Sequence, residues 1–414
     1  MPKIAPFSAI RYDSGKVGGE LSSVLAPPYD VLDESDRQVL LARNPRNIVA
    51  IDLPHVPPKT LGPPEAYERS AARLREWITE GTLVRGTIPA IYVYYQRFRF
   101  ENRAYTRRML IARAWLTPFA DGPILPHERT FGGPKEDRLA LMRATGCQLS
   151  PVFGLFSDPA RRMESLLASM GESPPDAAGR LDQVDNLLWA VEDRKTIEQA
   201  VALLLDAKVY IADGHHRYET ALRYREETAK SLGGRLPPDH PANFIMLALA
   251  AMEDPGSLVL PYHRVMTHVD VRTLLQAWSA GAQPAPPEQA DLVIQDGRSQ
   301  DRASLRFTDR SKLAELEPGE SPAWHQLDTA YLHRYLVDEL LAGQPAERGT
   351  AVLYAKSNED AVRLARQESG VALLLNPTPM SQLRAVSEAG GLMPQKSTYF
   401  HPKLTTGLTI YPLA

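Results

Sequence analysis

The 414-residue chain is 43% apolar and 23% charged, with a formal net charge of −3. This length predicts two or three domains, and the near-neutral charge excludes a global electrostatic field that would recruit nucleic acid or an acidic membrane surface. The single cysteine, Cys147, excludes an intramolecular disulfide and a zinc site built from thiolates alone.

The ends and the apolar runs of the chain predict its compartment. The first residues lack the apolar segment of a signal peptide. The longest apolar run, residues 244–252, has about half of the ~20 residues that span a bilayer. We therefore predict a cytoplasmic protein without nucleic-acid or membrane partners. The sequence leaves the oligomeric state open.

Hydrophobic periodicity in the first half of the chain predicts both helices and strands. A helix is predicted to begin at Pro64, because apolar residues then recur three or four positions apart, at Tyr67, Ala71, Leu74 and Ile78. Two β-rich runs, residues 90–100 and 105–116, are separated by polar residues and predict a hairpin. A buried strand is predicted at Val152–Phe156, and a strand end followed by a helix at residues 187–207.

The second half of the chain repeats this mixture. Strands are predicted within residues 257–269, 290–297, 302–309 and 350–358, and amphipathic helices at 327–341 and 358–369. Interleaved helices and strands indicate a mixed α/β fold of the α+β class. We predict a core region at 1–268 and a C-terminal α/β region at 269–414, whose segment "KSTYFHPK" returns to the functional site.

The segment "KVYIADGHHRYETALRYREE", which begins at Lys208, carries the strongest functional signal. It predicts a strand up to Ala212, a short polar turn and a helix from Tyr218. The start of a helix suits anions, because its N–H groups point outward and its dipole adds about half a positive charge. Gly214 permits close approach of a ligand, and Arg217 can present its planar fork to phosphate or carboxylate oxygens.

Other interpretations of this segment stay open. Asp213 can be an ordinary turn or cap residue, or it can help to hold Mg²⁺. The adjacent pair His215 and His216 lacks the i, i+4 spacing of a helical zinc site, although other histidines can join it in space. Neither a G-x-x-x-x-G-K-[ST] nor a G-x-G-x-x-G motif occurs, so a P-loop and a standard dinucleotide fingerprint are excluded as motifs.

The segment "YIADGHHRYETA" resembles the hallmark of the family called domain of unknown function 1015. Further segments resemble landmarks of that family in the same order: "PFSAIRY", "LAPPYDVL", "NPRNIV", "LPHERTFGGPKEDRL", "SPVFGLF", "LPYHRV" and "MPQKSTYFHPKLTTGL". The resemblance covers nearly the whole chain, and the combination of motifs is very specific.

The "ADGHHR" element also resembles the phosphate-binding loop of the ParB/sulfiredoxin-like superfamily, which includes free serine kinases. This resemblance implies a ParB/sulfiredoxin-like core with elaborations at both ends. It implies a phosphotransferase that acts on a small hydroxyl compound, foremost free L-serine, with ADP, ATP or pyrophosphate as donor together with Mg²⁺. The implied phosphate site consists of Asp213, Gly214, His215, His216 and Arg217.

The departures from this superfamily leave two alternatives. Sulfiredoxins need a cysteine where this chain has His215, which argues against their chemistry. Partition proteins need a DNA-binding helix-turn-helix and a basic surface, which we do not find. A non-catalytic nucleotide-binding regulator is the first alternative. The second is a metal-dependent hydrolase. No metal ligand is assigned beyond Mg²⁺ held through phosphates, with Asp213 as a candidate.

Phosphoryl transfer needs a carboxylate that orients or deprotonates the acceptor hydroxyl. Asp30, after "APPY", and Glu128, in "PHERTFGG", are the two candidates, and the sequence does not rank them. The opposing interpretations are a helix cap or turn for Asp30 and an ion pair with Arg129 or Arg138 for Glu128. His216 completes the predicted catalytic set.

The C-terminal segment supplies the last predicted site residues. Lys396 can act as a point charge for phosphate, with the hydroxyl groups of Ser397 and Thr398 as hydrogen-bond partners. The opposing interpretation is a tail strand whose lysines are incidental.

Overall fold

The computed structural model describes residues 3–130, 132–299, 301–342 and 350–413. The chain forms two compact units. The first comprises Met1–Pro126, Thr130–Ser257 and Pro402–Ala414, and the second comprises His127–Arg129 and Leu258–His401. Both contain helices and strands, which confirms the α+β class. The domain boundary predicted near His268 stays a prediction, because a compact unit and an independently folding domain are different things.

The strands divide between the units. Those of the first unit up to Ser257 are β1 (Ile4–Ala5), β2 (Ile10–Tyr12), β3 (Leu83–Arg85), β4 (Ile91–Phe100), β5 (Arg103–Trp115), β6 (Ile124–Leu125), β7 (Cys147–Gln148), β8 (Val152–Phe156), β9 (Ala177–Leu181), β10 (Val184–Val191), β11 (Val209–Asp213) and β12 (Phe244–Ala251). Those of the second unit are β13 (Leu258–Leu260), β14 (His263–Met266), β15 (Ala282–Pro284), β16 (Leu292–Asp296), β17 (Arg302–Phe307), β18 (Val352–Ala355), β19 (Val371–Leu375) and β20 (Tyr399–His401). The chain then adds β21 (Tyr411–Pro412) to the first unit.

The helices follow the same division. The first unit contains α1 (Glu34–Arg43), α2 (Val49–Asp52), α3 (Pro64–Thr79), α4 (Gly132–Thr145), α5 (Arg162–Met170), α6 (Arg194–Leu203) and α7 (His215–Ser231). The second contains α8 (Val271–Ala277), α9 (Ser311–Leu316), α10 (Asp328–Ala330), α11 (Asn358–Gln367) and α12 (Met380–Glu388). A π-helix, Tyr331–Leu341, continues α10, where the sequence predicted an ordinary amphipathic helix.

The first unit is built on a nine-stranded sheet in the order β6-β11-β8-β12-β5-β4-β10-β9, with β1 paired to β5. Every residue of β8 and β12 is buried, as expected for central strands made of continuous apolar runs. The predicted hairpin is β4–β5, and both of its turn residues, Glu101 and Asn102, have positive φ. The second unit contains a six-stranded sheet in the order β15-β17-β16-β19-β14-β18.

Gly154, in the middle of β8, is a packing requirement of this sheet. A Cβ at this position would lie 2.7 Å from Val209 Cγ1 and 2.9 Å from Leu249 Cδ2. We expect Gly154→Ala to lower the free energy of unfolding by about 1–3 kcal/mol, because overpacked cores force side chains off their rotamers. Urea unfolding measures this, with Gly132→Ala as the control, since a Cβ there meets nothing within 4 Å. Equal stability of the two variants would contradict the packing argument.

Helix α3 begins at Pro64 as predicted, and its buried face confirms the periodicity, with one exception. Ile78 is 39% exposed, and Trp77, at 4%, packs in its place.

The interpretation of Asp30 as the N-cap of the following helix, α1, is wrong. Asp33 caps α1 by accepting a hydrogen bond from the backbone N–H of Asp36, in a reciprocal capping box. Among the described residues, no helix is long and apolar enough to cross a membrane.

Candidate functional site

The candidate site lies where β11 leads into α7. Gly214 joins them in a left-handed conformation, with φ of 94°, and α7 begins directly afterwards at His215. The sequence placed the helix start at Tyr218, which is wrong, because the positive φ of Gly214 turns the chain into the helix at once. His215, which is buried, and the half-buried His216 and Arg217 therefore form the first turn of α7.

The start of α7 has the properties of an anion site. The N-cap residue is Gly214, and among the described residues no side chain caps this helix end. The N–H groups of a first helical turn have no acceptor within the helix, and the helix dipole adds about half a positive charge there. Strand β11 also changes register between Ile211 and Asp213 just before the turn. Such irregularities re-aim side chains beside functional sites.

Arg217 folds back over the turn. Its Nη1 donates to Ser150 Oγ at 3.0 Å and to the Pro151 carbonyl, and its Nη2 donates to Asp213 Oδ2 at 2.7 Å. Among the described residues, its Nε–H and second Nη2–H have no acceptor. A Cβ on Gly214 would lie 2.9 Å from that Nε. The absence of a side chain at Gly214 therefore permits the close approach of the Arg217 guanidinium to the turn.

Asp213 holds a second cation beside Arg217. Lys403 Nζ lies 2.6 Å from its Oδ1, while Arg217 engages Oδ2. Burial raises the pKa of Asp213, but Lys403 and Arg217 outweigh it and hold that pKa well below its usual range. Because cations occupy both of its oxygens, Asp213 does not fit the predicted role of a Mg²⁺ ligand. Its carboxylate instead forms ion pairs with Lys403 and Arg217.

Two buried side chains, those of Gln96 and Arg107, hold the backbone that carries Lys403. Gln96 and Arg107 are opposite each other on β4 and β5, and both are fully buried. Arg107 donates to Gln96 Oε1 and to the Pro402 carbonyl, and Gln96 Nε2 donates to the Lys403 carbonyl at 3.0 Å. Two consecutive carbonyls of the C-terminal segment are thereby fixed. The Lys403 ammonium consequently reaches Asp213 from a rigid backbone.

Replacing Lys403 by methionine is expected to destabilise the protein in a pH-dependent way. Because folding lowers the pKa of Asp213, its ionised carboxylate stabilises the fold at pH values above the ordinary carboxyl pKa of 3.8. This stabilisation is lost as the pH falls below that value. We expect Lys403→Met to cost about 2 kcal/mol at pH 7, as for a charge-assisted hydrogen bond. Urea unfolding should show this deficit shrinking as the pH is lowered below about 4.

Lys16→Met is the matched control for this experiment. Lys16 is an exposed lysine of the first unit, and we expect its removal to change the free energy of unfolding by less than about 0.5 kcal/mol at either pH. A deficit in Lys403→Met that stays constant with pH would mean that Asp213 is not its partner.

Asp30 lies in the same unit as Arg217. It belongs to a 3-10 turn, Tyr29–Val31, that follows Pro28, and its side chain is half-buried. Burial raises the pKa of Tyr29, Arg138 lowers it, Asp30 raises it and Arg217 lowers it. Asp30 and Arg217 therefore both act electrostatically on one buried hydroxyl group.

A buried ionic network adjoins Tyr29. Arg138 donates to Asp137 Oδ2 at 2.9 Å, and to the carbonyl and Oδ1 of Asp52 at 2.7 and 3.2 Å. Its guanidinium carbon lies 3.8 Å from the centre of the Tyr29 ring. Tyr67 Oη donates to the other oxygen of Asp137 at 2.8 Å. Arg138 therefore pairs with these two carboxylates, and the predicted pairing of Glu128 with Arg138 is wrong.

The remaining predicted residues lie in the second unit, where they contact one another and their neighbours. Glu128 Oε1 accepts a hydrogen bond from the Lys396 backbone N–H at 2.7 Å. Ser397 Oγ donates to the Pro394 carbonyl, and Thr398 Oγ1 lies 2.9 Å from His127 Nε2. Both hydroxyl groups are buried. A phosphate would have to replace these contacts, and the phosphate-binding role of Lys396, Ser397 and Thr398 stays a prediction.

Sequence reasoning missed several residues of the site. Lys403 was visible as part of "KSTYFHPK", but nothing near it in sequence points to Asp213. Gln96 and Arg107 carried a usable signal, because polar side chains facing each other across a predicted apolar hairpin need buried partners. Among the described residues, no group of three or more His, Cys, Asp or Glu side chains is placed to hold a metal ion.

Comparison with known proteins identifies a family but no activity. The sequence profile of the family described as "Protein of unknown function (DUF1015)" matches residues 4–375. None of the curated proteins compared with the chain matches it.

Three solved structures illustrate the structural likenesses. A mutant free serine kinase in complex with AMP has 12% identity and a TM-score of 0.34, covering 69% of this chain and 88% of its own. A conserved hypothetical protein from Pyrococcus furiosus has 12% identity and a TM-score of 0.32, covering 69% and 92%. C-terminally truncated SbnI from Staphylococcus aureus has 13% identity and a TM-score of 0.36, covering 72% and 86%. TM-scores this low do not establish a shared fold.

Proposed function

The chain belongs to the DUF1015 family of proteins of unknown function, and we propose that it is a small-molecule phosphotransferase. The donor is a nucleotide, ADP or ATP, or pyrophosphate, and the acceptor is a small hydroxyl compound. Free L-serine is the first acceptor to test, since the "ADGHHR" loop resembles that of free serine kinases. The family description assigns no activity, so the proposal rests on the site.

The observation that carries this proposal is an excess of positive charge at the start of α7. Arg217 and Lys403 share one carboxylate, Asp213, so the three groups together keep one net positive charge. The helix dipole adds about half a charge at the same place. Arg217 has two further N–H donors, on Nε and Nη2, that have no acceptor among the described residues. Phosphate groups match this arrangement in charge, and guanidinium groups bind their oxygens through paired hydrogen bonds.

The residues of the first unit have distinct roles in the proposed reaction. Arg217, Lys403 and the first turn of α7, with His215 and His216, hold the donor phosphates. The acceptor oxygen attacks phosphorus, the bond from phosphorus to the bridging oxygen breaks, and the shortened donor leaves. The hydroxyl proton passes to Asp30, which we favour over Glu128 because it shares a unit with Arg217. Phosphoryl transfer depends mainly on such positioning and charge neutralisation. Mg²⁺ bound to the donor phosphates would neutralise part of their charge.

Incubation of the purified protein with L-serine, Mg²⁺ and each donor in turn tests the proposal. We expect ³¹P NMR to show O-phosphoserine with at least one of ADP, ATP and pyrophosphate, and its loss in Asp30→Asn. If no phosphorylated product forms with any of the three donors, for serine or other small hydroxyl compounds, the proposed phosphotransfer is contradicted. Donor binding without product would then favour the nucleotide-binding regulator.

A further inference from the structure

Helices α4 and α7 of the first unit lie side by side and run in the same direction. Near their starts, Lys135 Nζ donates to Glu219 Oε2 at 2.7 Å. Nearer their ends, Arg143 Nε donates to Glu227 Oε2 at 2.8 Å. The partners are 84 positions apart in the chain in both pairs, so the two helices advance together. This spacing places the first turn of α4 beside the first turn of α7.

Lys135 is a cation at this shared end of the two helices. It lies in the first turn of α4, and its partner Glu219 lies one turn after His215 on α7. Helical side chains lean toward the start of their own helix. The Lys135 ammonium group is therefore within roughly 6 Å, measured along the helix axis, of the start of α7. That start is the place where the proposed function puts the donor phosphates.

The ion pair of Lys135 and Glu219 is suited to exchange. Their side chains keep 32% and 28% of their surface exposed, and a pair this accessible to water contributes little to stability. Glu219 Oε2 also accepts a hydrogen bond from Thr130 Oγ1 at 2.8 Å, so this oxygen keeps a donor when the lysine turns away. Lys135 can therefore move from one carboxylate to a phosphate group at small cost, because its charge sits on a flexible stem.

The backbone that carries Lys135 is packed on two sides. A Cβ on Gly133 would lie 2.8 Å from the Lys59 carbonyl oxygen, so the start of α4 approaches that residue closely. Thr220 Oγ1, which is buried on α7, contacts the Lys135 carbonyl oxygen. The ammonium group can thus change partner by side-chain rotation while the backbone stays in place.

We propose that Lys135 binds the donor phosphates together with Arg217 and Lys403, and that Glu219 holds its ammonium group when no donor is present. The inference deepens the proposed function, on which it rests for the identity of the anion. It adds a binding residue from a second helix, and it makes Glu219 a competitor of the donor for that residue.

Calorimetric titration with pyrophosphate at fixed ionic strength tests the role of Lys135. We expect Lys135→Met to bind pyrophosphate about tenfold more weakly than the wild type, because a charge-assisted hydrogen bond to phosphate is lost. Lys135→Arg keeps the charge and is expected to stay within about threefold of the wild type. Lys230→Met is the matched control, since Lys230 is an exposed lysine in the last turn of α7, and it should bind as the wild type does.

Glu219→Gln is expected to have the opposite effect. Glutamine keeps the size of the side chain and its carbonyl acceptor, but it removes the negative charge that competes with phosphate. We expect this variant to bind pyrophosphate about 3- to 10-fold more tightly than the wild type. An ion pair with a purely structural role predicts weaker binding in both variants, because breaking it from either side would loosen the start of α4.

Two results would overturn the inference. One is binding of pyrophosphate by Lys135→Met within about twofold of the wild type. The other is binding by Glu219→Gln that is equal to or weaker than that of the wild type. Melting temperatures identify any variant that is not folded, and if Lys135→Met is not, the near-isosteric Glu219→Gln decides alone.

Product formation separates this inference from the proposed function. If both variants change pyrophosphate binding as expected but the wild type forms no phosphorylated product, Lys135 keeps its binding role and phosphotransfer is rejected. If product forms while neither variant changes binding, phosphotransfer stands and Lys135 is removed from the site.

Discussion

Replacing Arg217 by alanine is expected to weaken binding of ADP and pyrophosphate about 10- to 100-fold. The change removes the guanidinium group that we propose binds the phosphates, and charge-assisted hydrogen bonds contribute about 1.5–3 kcal/mol. It also removes one of the two cations that contact the Asp213 carboxylate, which then repels phosphate more strongly. Calorimetric titration at fixed ionic strength measures the effect, because phosphate binding depends on salt.

The same helix supplies the control for this experiment. Arg223 also lies on α7, but it is exposed and pairs with Glu136 and Glu227. We expect Arg223→Ala to bind both ligands as the wild type does. Melting temperatures of the two variants would show that each is folded. Binding by Arg217→Ala within about twofold of the wild type would remove Arg217 from the site.

Replacing Arg138 by methionine is expected to lower the free energy of unfolding by about 3–5 kcal/mol at neutral pH. Arg138 is 6% exposed, and its removal takes away the cation that faces two buried carboxylates, Asp52 and Asp137. Breaking a buried ion pair costs this much because an uncompensated charge stays in the interior. Burial already raises the pKa of Asp52, with Arg138 opposing it. Without Arg138 the pKa of Asp52 rises further, and the deficit shrinks as falling pH protonates Asp52.

Urea unfolding at pH 8 and pH 5 measures this deficit and its change. Arg143→Met is the control, since Arg143 is on the same helix but pairs with Glu227 at the surface. An exposed pair contributes about 0–1 kcal/mol, so we expect a small effect at either pH. Equal stabilities of the two variants would contradict the role of Arg138.

Strands could be predicted where a short stretch of sequence is enough to determine them. Val152–Phe156 forms β8 at the predicted residues, because a short apolar run between turn residues has few alternatives to a buried strand. The hairpin β4–β5 followed from two β-rich runs around a polar turn. The start of α7 was misplaced because the polar residues after Gly214 look like a turn when the positive φ of that glycine is unknown.

The ionic contacts of the site were not predictable in the same way. Lys403 and Asp213 are 190 positions apart, and Arg138 and Asp52 are 86 apart. Sequence patterns report neighbours within a few residues, whereas these pairs depend on how the sheet and the helices pack. The sequence therefore located the turn where we propose that phosphate binds, but not the partners that hold Arg217 and Lys403 in place.

A crystal structure of the protein with ADP and Mg²⁺ is the most direct test of the central claim. The account predicts that the terminal phosphate lies at the first turn of α7, within hydrogen-bond distance of the Arg217 guanidinium and near the Lys403 ammonium. Phosphates bound away from this turn, without contact to Arg217 or Lys403, would contradict it.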